Sequence, residues 1–142
     1  MTIEPNLTPT PVVTCFLESE GKILLLRRSE QVSSYRGKWA GVSGYLEGEP
    51  DAQALTEIAE ETGLQLKDIS LVKKGKPVLI DDKDTGARWL VYPYLFHVKD
   101  SSKIKLDWEH RETRWVKTAE IKRYATVPGL KKALAMVYDS TD

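Results

Sequence analysis

The chain has 142 residues, 41% of them hydrophobic and 30% charged, which is the size and balance of one soluble globular domain with its own core. Its 21 basic and 21 acidic side chains cancel, so the net charge excludes bulk attraction to nucleic acid or to an anionic membrane. No run of about eighteen apolar residues is present, so no transmembrane helix is expected.

The single cysteine and the first residues bear on location and domain organisation. Cys15 lies within an apolar run, which predicts a buried thiol, excludes an internal disulfide and favours a reducing compartment. We therefore expect a cytoplasmic protein. Residues 1–10 are polar and proline-rich, so they are predicted to form a short flexible segment before one domain over 11–142.

The first half of the chain predicts strands, a loop and a helix. Residues 12–17 and 22–27 are apolar runs separated by a polar turn, so they predict a buried β-hairpin. The polar stretch 29–38 predicts a loop, and 39–46 predicts a short strand interrupted by glycine. A proline suited to a first turn and a glycine suited to a C-terminal cap predict a helix over 50–62.

The second half predicts another hairpin and a terminal helix. Residues 72–80 and 88–98 are β-rich and flank a turn-like tip, while 113–116 predicts a last strand. Apolar residues at helical spacing in 127–138 predict an amphipathic C-terminal helix. The sequence therefore predicts an α/β fold, in which helices pack against a mixed β-sheet.

Three glutamates, Glu57, Glu60 and Glu61, lie toward the C-terminal end of the predicted helix, and no basic residue occurs from 49 to 66. At about 100° per residue they fall opposite the residues expected to pack inward, Ala52, Leu55, Ile58, Ala59 and Thr62. Their mutual repulsion costs about 0.2–0.5 kcal/mol per pair, and the helix dipole disfavours them further. The cluster predicts a hard divalent cation, Mg²⁺ or Mn²⁺; a merely solvated acidic face is the alternative.

The surrounding segment, GYLEGEPDAQALTEIAEETGL at 44–64, resembles the Nudix box. The residues that match its elements are Gly44, Glu49, Glu57, Ile58, Glu60, Glu61, Gly63 and Leu64. The spacings from Gly44 to Glu49 and from Glu49 to Thr56 are each one residue shorter than in the family. An apolar strand ending in paired arginines precedes the box and EHRETRWV follows it, so the resemblance covers about residues 12–125.

The resemblance implies a Nudix-type α/β/α sandwich with a mixed β-sheet. It implies hydrolysis of a diphosphate joined to another moiety, usually in a nucleoside diphosphate derivative. Glu57, Glu60 and Glu61 would be the metal ligands and catalytic residues, with one of the last two orienting or deprotonating the attacking water. The chemistry agrees, because Mg²⁺ neutralises charge on phosphoryl oxygens and acidifies its bound water.

One position departs from the family in its chemistry. Thr56 stands where the family has an arginine that normally pairs with a box glutamate and fixes its direction. Either Arg36 or Lys38 reaches in from the preceding loop, or the metal site is looser and the activity weaker.

Basic and aromatic residues near the box are candidates for substrate binding. We predict this role for Arg27, Arg28, Arg36 and Trp39, because arginine suits bidentate contacts to phosphate and an aromatic ring can stack on a base. Tyr35 and Trp89 are further stacking candidates; the alternatives are a polar strand end and core aromatics.

Beyond the box, Glu109 is predicted as a further metal ligand or base, with surface ion pairing to Arg111 or Arg114 as the alternative. His97, within an apolar segment, is interpreted as structural, and His110 has no cysteine or histidine at the spacing of a zinc site, so neither histidine is assigned a role in the mechanism.

Two functional hypotheses remain. The first is a Mg²⁺-dependent pyrophosphohydrolase acting on a nucleotide or another diphosphate-containing small molecule. The second is a non-catalytic Nudix-fold module that binds a nucleotide or a protein, although such a module would not need the acidic cluster. The apolar segment 88–96 is interpreted as a surface for a homodimer.

Overall fold

The computed structural model describes residues 8–32 and 34–138, except for the side chain of Arg111. The predicted first hairpin is present, with strands β1 (Thr10–Ser19) and β2 (Lys22–Arg28). The other strands and helices are β3 (Trp39–Ala40), β4 (Val42–Tyr45), α1 (Pro50–Thr62), β5 (Ile69–Lys74), β6 (Val78–Asp81), β7 (Arg88–Val98), β8 (His110–Val116) and α2 (Leu130–Ala135). Short 3₁₀ turns lie at Leu66–Asp68, Ser101–Lys103 and Thr118–Arg123.

The strands form one eight-stranded mixed sheet. Its main path runs β3-β2-β1-β7-β5, with β4 also paired to β1, β6 to β7 and β8 to β2. β1 and β7 are parallel, whereas the pairing of β1 with β2 is antiparallel and covers Glu18 with Ile23 and Ser19 with Lys22. Beyond that turn β1 pairs with β4, and β2 pairs with β3. The sheet therefore opens between two halves, one containing β1 and β4 and the other containing β2 and β3.

Each face of the sheet carries its own hydrophobic core, because side chains alternate along the strands. On one face Cys15, Leu24 and Leu26 pack with Ala54 and Ile58 of α1. On the other face the core residues include Phe16, Ile23, Leu25, Leu130 and Leu134, the last two from α2. The layers are therefore helix, sheet and helix, and the predicted α/β/α sandwich with a mixed β-sheet is confirmed.

Helix α1 has the predicted bounds, but other elements differ: the predicted strand 39–46 is two strands, β3 and β4, and β8 begins at His110 rather than at 113. The predicted strand 72–80 is two strands, β5 and β6, which both pair with β7. Gly75 and Pro77 lie in the break, where proline supplies no N–H for a ladder. The C-terminal helix is shorter than 127–138, because Pro128 and a left-handed Gly129, with φ 77°, precede its first turn.

The expectation of a homodimer rested on the apolar segment 88–96 being an exposed surface, and this prediction of exposure is wrong. Strand β7, which contains the whole apolar segment 88–96, pairs with β1 along one edge and with β5 and β6 along the other. Tyr94, Leu95 and Phe96 are buried in the cores, so this segment is an interior strand rather than an exposed surface. No helix in the described part of the chain has the length and hydrophobicity of a membrane span. Residues 1–7 of the predicted flexible segment lie outside the described residues, and Thr10 already begins β1.

Candidate active site

A cavity of about 670 Å³ lies where the two halves of the sheet separate. Val12 and Thr14 of β1 line its floor, and residues 43–45 of β4 continue it toward α1. Glu57 and Glu60 form an acidic wall. Loops contribute the rest, chiefly the turn at 107–109. The volume falls within the range of small-molecule sites, which is roughly 300–1,000 Å³.

Helix α1 places its three glutamates differently from the sequence prediction. The buried residues of the helix are Ala54, Ile58, Glu61 and Thr62. Glu61 follows Ile58 by three residues and Ala54 by seven, so it lies on the packing face, and its predicted position opposite that face is wrong. Glu57 is half-buried at the edge of this face, Glu60 is exposed, and Ala52, predicted to pack inward, is exposed.

Glu57 stands at the boundary between the helix and the cavity. Its Oε2 accepts a hydrogen bond of 2.8 Å from Gln53 Nε2, one helical turn earlier. Burial raises the pKa of Glu57, and the nearby charges of Glu60 and Glu47 raise it further. The raised pKa means that the ionised carboxylate lacks sufficient positive charge nearby, which a bound cation would supply.

Glu61 is the most enclosed of the acidic groups. Its Oε1 accepts from the Ser43 backbone N–H at 3.4 Å, while its buried Oε2 has no hydrogen-bond partner. Burial raises the pKa of Glu61 well above its usual range, and the carboxyl groups of Glu57 and Glu109 raise it further. Ionised Glu57 can only accept, so the two groups can bond to each other only while one of them holds a proton.

The turn before β8 presents a fourth carboxylate, Glu109. Asp107 Oδ1 accepts from the Glu109 backbone N–H at 3.1 Å, which fixes the turn, and both residues line the cavity. Burial raises the pKa of Glu109, as do the charges of Asp107 and Glu57, while Arg28 opposes them. The predicted candidate Glu109 is therefore brought to the same cavity as Glu57 and Glu60.

His110 contacts Glu61 of this site, although the sequence prediction gave it no role in the mechanism. Its Nε2 lies 3.5 Å from Glu61 Oε1 and its Nδ1 lies 3.3 Å from Asp107 Oδ1. The side chains of His110 and Glu61 are each 2% exposed. Burial lowers the pKa of His110.

A β-bulge explains why the alternation of side chains along β8 predicts the wrong face of the sheet for His110. The pairing of β2 with β8 passes from Arg27 with Glu112 to Arg28 with His110, so one residue is skipped on β8. A bulge turns the following side chain to the other face of the sheet. His110 consequently points to the face that carries Trp115 and α1 rather than to the face of Glu112.

Of the basic residues proposed to bind substrate, Arg28 lines the cavity. Its Nε donates to Ser34 O at 2.9 Å, which holds the guanidinium beside the loop. Arg27 instead pairs with Glu112 at 2.8 Å and donates to Gly37 O. Arg36 is exposed and its Nε donates to Val32 O at 2.7 Å. The structure therefore does not bring Arg27 or Arg36 into the cavity.

Of the aromatic residues predicted to stack on a base, some line the cavity and others do not. Trp39 is 9% exposed and packs edge-on against Tyr124 in the α2-side core, so it is not among the cavity-lining residues. Trp89 does line the cavity, where its ring lies 6.3 Å from that of Tyr45. Tyr45 and Trp108, which the sequence reasoning passed over, are 57% and 63% exposed and also line it.

The positive partner expected in place of the family arginine is absent from the predicted positions. Thr56 and Lys38 are exposed, and Arg36 bonds its own loop. In the described residues the side chain able to carry positive charge that contacts Glu61 is His110.

The sequence as a whole matches the NUDIX domain family model over residues 8–137. The chain belongs to the Nudix family. No curated protein sequence matches it. This membership confirms the resemblance drawn from the box, despite the shortened spacings and Thr56.

Solved Nudix structures have the same fold. The MutT protein from Methanosarcina mazei Go1 is 26% identical, with a TM-score of 0.65 over 92% of this chain and 94% of that chain. A NUDIX hydrolase from Nitrosomonas europaea is 19% identical, with a TM-score of 0.72 over 94% of each chain. A C. elegans Ap4A hydrolase in a binary complex is 15% identical, with a TM-score of 0.68 over 89% of this chain and 93% of that chain. At these last two identities the likeness shows the fold alone.

Nudix hydrolases generally use divalent metal ions, and the residues of this site fit such an ion. The buried Glu61 Oε2 has no partner, and after burial the carboxyl groups of Glu57 and Glu109 raise the pKa of Glu61, as expected of carboxylates without a cation. In the described residues no three acidic, histidine or cysteine side chains already converge as a closed metal cage. An incomplete protein shell is consistent with Mg²⁺, which usually takes only one or two carboxylates with water and substrate phosphates.

Proposed function

We propose that this Nudix protein is a Mg²⁺-dependent hydrolase that cleaves a diphosphate linkage in a nucleotide or a nucleoside diphosphate derivative. The observation that carries the proposal is the buried, unpartnered Glu61 oxygen behind a cavity that Glu57, Glu60 and Glu109 share. Such a concentration of carboxylates is unfavourable alone and becomes favourable with a hard cation. A protein of the same fold, the C. elegans Ap4A hydrolase, acts on a nucleotide, and we infer the same substrate class here.

In this proposal Glu57, Glu60 and Glu61 hold the ion, with Glu109 near enough to contribute. When bound, Mg²⁺ supplies positive charge for the phosphoryl oxygens and lowers the pKa of a coordinated water. In this proposal Glu109, which lines the same cavity, accepts the proton of the attacking water; burial raises its pKa, which makes it a stronger base than an ordinary glutamate. Water forms the new P–O bond, the bridging P–O bond breaks, and the two phosphate-bearing fragments leave.

Arg28 and the aromatic residues hold the substrate in this proposal. The Arg28 guanidinium lies on the cavity wall near Glu109 and can bind phosphate oxygens. Trp89, Tyr45 and Trp108 supply apolar faces on which a base can stack without discrimination among bases. The specific substrate follows from the loops, which differ in shape more readily than the sheet.

A hydrolysis screen tests the proposal. Purified protein with Mg²⁺ is incubated with nucleoside triphosphates, oxidised nucleotides, dinucleoside polyphosphates, ADP-ribose and nucleoside diphosphate sugars. We expect turnover of one class that is abolished by EDTA and reduced at least 100-fold in Glu61→Gln, as for loss of a general acid–base or ligand group. Turnover that survives both EDTA and Glu61→Gln contradicts the proposal, and nucleotide binding without turnover favours a binding module.

Glu20→Gln is the matched control. Glu20 is an exposed residue of the turn between β1 and β2, remote from the cavity lining, so the same charge removal there leaves turnover unchanged. Equal losses in the two variants would show that net charge, rather than the site, governs the rate.

A single domain over 11–142 and a cytoplasmic location also remain proposals. One continuous sheet carries both cores, and Cys15 is fully buried, which supports the domain and is compatible with a reducing compartment.

A further inference from the structure

The two oxygens of Glu61 have different surroundings. Oε1 accepts from the Ser43 backbone N–H at 3.4 Å and lies 3.5 Å from His110 Nε2, with which it can share a proton: Glu61 donates to Nε2 when it is protonated and accepts from it when the imidazole is. Oε2 is buried and has no partner. A carboxylate held through one oxygen presents the other in a fixed direction. The surroundings of Oε1 therefore determine where the free oxygen points.

His110 is itself held in place from behind. Its Nδ1 lies 3.3 Å from Asp107 Oδ1, and the same oxygen accepts from the Glu109 backbone N–H. The His110 ring is 2% exposed and enters the sheet at the bulge opposite Arg28. A ring fixed at Nδ1 and by packing has little freedom at Nε2, so it can hold the atom it faces.

The turn at 107–109 thus positions two carboxylates, those of Glu109 and Glu61. Asp107 fixes the backbone that carries Glu109 and the ring that faces Glu61. These two glutamates come from the turn before β8 and from α1, which no local sequence spacing relates. A rigid connection through Asp107 and His110 sets their separation across the cavity.

We propose that His110 is a positioning residue: through the contact of its Nε2 with Glu61 Oε1 it directs Glu61 Oε2 toward the metal. Asp107 orients the histidine for this purpose. The inference deepens the proposed function and rests on it for the identity of the ion. It assigns to His110 the orienting role that an arginine at position 56 has in the family and that Arg36 and Lys38 do not fill in the described residues.

Two substitutions distinguish the roles of the two ring nitrogens of His110. The amide nitrogen of glutamine is as many bonds from Cβ as His Nε2, whereas that of asparagine corresponds to Nδ1. His110→Gln therefore keeps an amide that can hydrogen-bond Glu61, and His110→Asn keeps only a donor for Asp107. The same pair at His97, which is on β7 and contacts Glu18, provides the matched controls.

The first readout is Mn²⁺ affinity, measured from the electron paramagnetic resonance of the free ion, with Tm in EDTA as the check of folding. We expect His110→Asn to lose ~10–100-fold in Mn²⁺ affinity and His110→Gln to retain most of it, since loss of an outer-shell partner typically has this effect. The His97 variants bind Mn²⁺ as wild type does. Equal affinity in the two His110 variants at similar Tm overturns the proposal.

A second readout uses the native histidine in case His110→Asn does not fold. The chain has two histidines, so ¹⁵N-labelled imidazole spectra are simple to assign with a His97 variant. Replacement Glu61→Gln is expected to shift the His110 Nε2 resonance and to leave both His97 resonances in place. An unchanged Nε2 resonance overturns the proposal. Neither readout requires turnover, so failure of the hydrolase screen and failure of this inference are distinguishable.

Discussion

Gly44 of β4 lies directly beneath the carboxylate of Glu57 on α1, so closely that a Cβ at position 44 would overlap the carboxylate atoms. The backbone conformation of Gly44 is not left-handed, so the requirement for glycine is one of space rather than of φ. The first glycine of the box is thereby explained by the position of one of its glutamates.

Gly44→Ala is expected to weaken metal binding more than folding. The overlapping atoms are the end of a flexible side chain, so Glu57 can rotate away at a modest cost of roughly 0.5–1.5 kcal/mol. Its carboxylate then leaves the cavity wall, and we expect Mn²⁺ affinity to fall by ~10-fold or more, as for a displaced ligand. Isothermal titration with Mn²⁺ and Tm in EDTA measure the two effects.

Gly48→Ala is the control for this substitution, because a Cβ at Gly48 meets no atom within 4 Å. It should leave Mn²⁺ affinity unchanged. If Gly44→Ala also binds Mn²⁺ as wild type does, Glu57 is not held at the metal by its position over Gly44.

Tyr35 connects two loops at the rim of the cavity. Its hydroxyl donates to Asp82 Oδ2 at 2.7 Å and accepts from Trp89 Nε1 at 3.2 Å, while its backbone is left-handed, with φ 51°. Such a conformation in a residue other than glycine costs about 1–3 kcal/mol and persists only where surrounding contacts hold it. The hydroxyl contacts are therefore what keeps this wall of the cavity in place.

We expect Tyr35→Phe to lower the free energy of unfolding by about 0.5–1.5 kcal/mol, the usual net value of a hydrogen bond. It should also raise KM several-fold with little change in kcat, because a mobile wall weakens ground-state and transition-state binding alike. Denaturant unfolding and steady-state kinetics test this. Tyr92→Phe, away from the cavity lining, is the control, and an unchanged KM for Tyr35→Phe would contradict the prediction.

Local sequence signals were sufficient where one strong determinant acts alone. Helix α1 has its predicted ends because Pro50 fits a first turn and Gly63 adopts the left-handed cap with φ 76°. The acidic face was only partly predicted. Periodicity assigned apolar residues to the inside, but the packing face also carries Glu61, since a polar group is tolerated there for function.

Other parts of the site depend on contacts that spacing along the chain does not contain. His110 reaches Glu61 because a bulge between Arg28 and Glu112 reverses its direction, and strict alternation predicts the opposite face. The directions of Trp39 and Arg27 likewise depend on strand pairing. Trp39 points into the α2-side core, and Arg27 points to Glu112. The register of β2 with β3 and with β8 determines the directions of these side chains.

The titration of Glu61 predicts how metal-free stability varies with pH. The pKa of an unfolded glutamate is about 4.3, and that of folded Glu61 is raised, so the folded state binds more protons between the two values. The free energy of unfolding therefore falls as pH rises through this window, by up to ~1.4 kcal/mol per pH unit. Below the unfolded pKa this destabilisation is absent.

Glu61→Gln does not titrate, so in EDTA its Tm should exceed that of wild type increasingly as pH rises from about 4.3, the unfolded pKa, through the raised folded pKa. Calorimetry at several pH values measures the difference, and saturating Mg²⁺ should reduce it by stabilising the wild type through mass action. Glu20→Gln controls for net charge. A Tm difference that does not change with pH would show that Glu61 titrates alike in the folded and unfolded states.

Glu109→Gln separates proton transfer from metal binding. Glu109 is half-buried on a turn fixed by Asp107, across the cavity from the α1 carboxylates, and it keeps its backbone contacts when the side chain becomes an amide. As the base, it should lower kcat by ~10²–10⁴-fold on substitution, with Mn²⁺ affinity within a few-fold of wild type. Glu57→Gln should instead weaken Mn²⁺ binding. A parallel loss of Mn²⁺ affinity and kcat in Glu109→Gln would make Glu109 a metal ligand, and proton acceptance would then fall to Glu60 or Glu61.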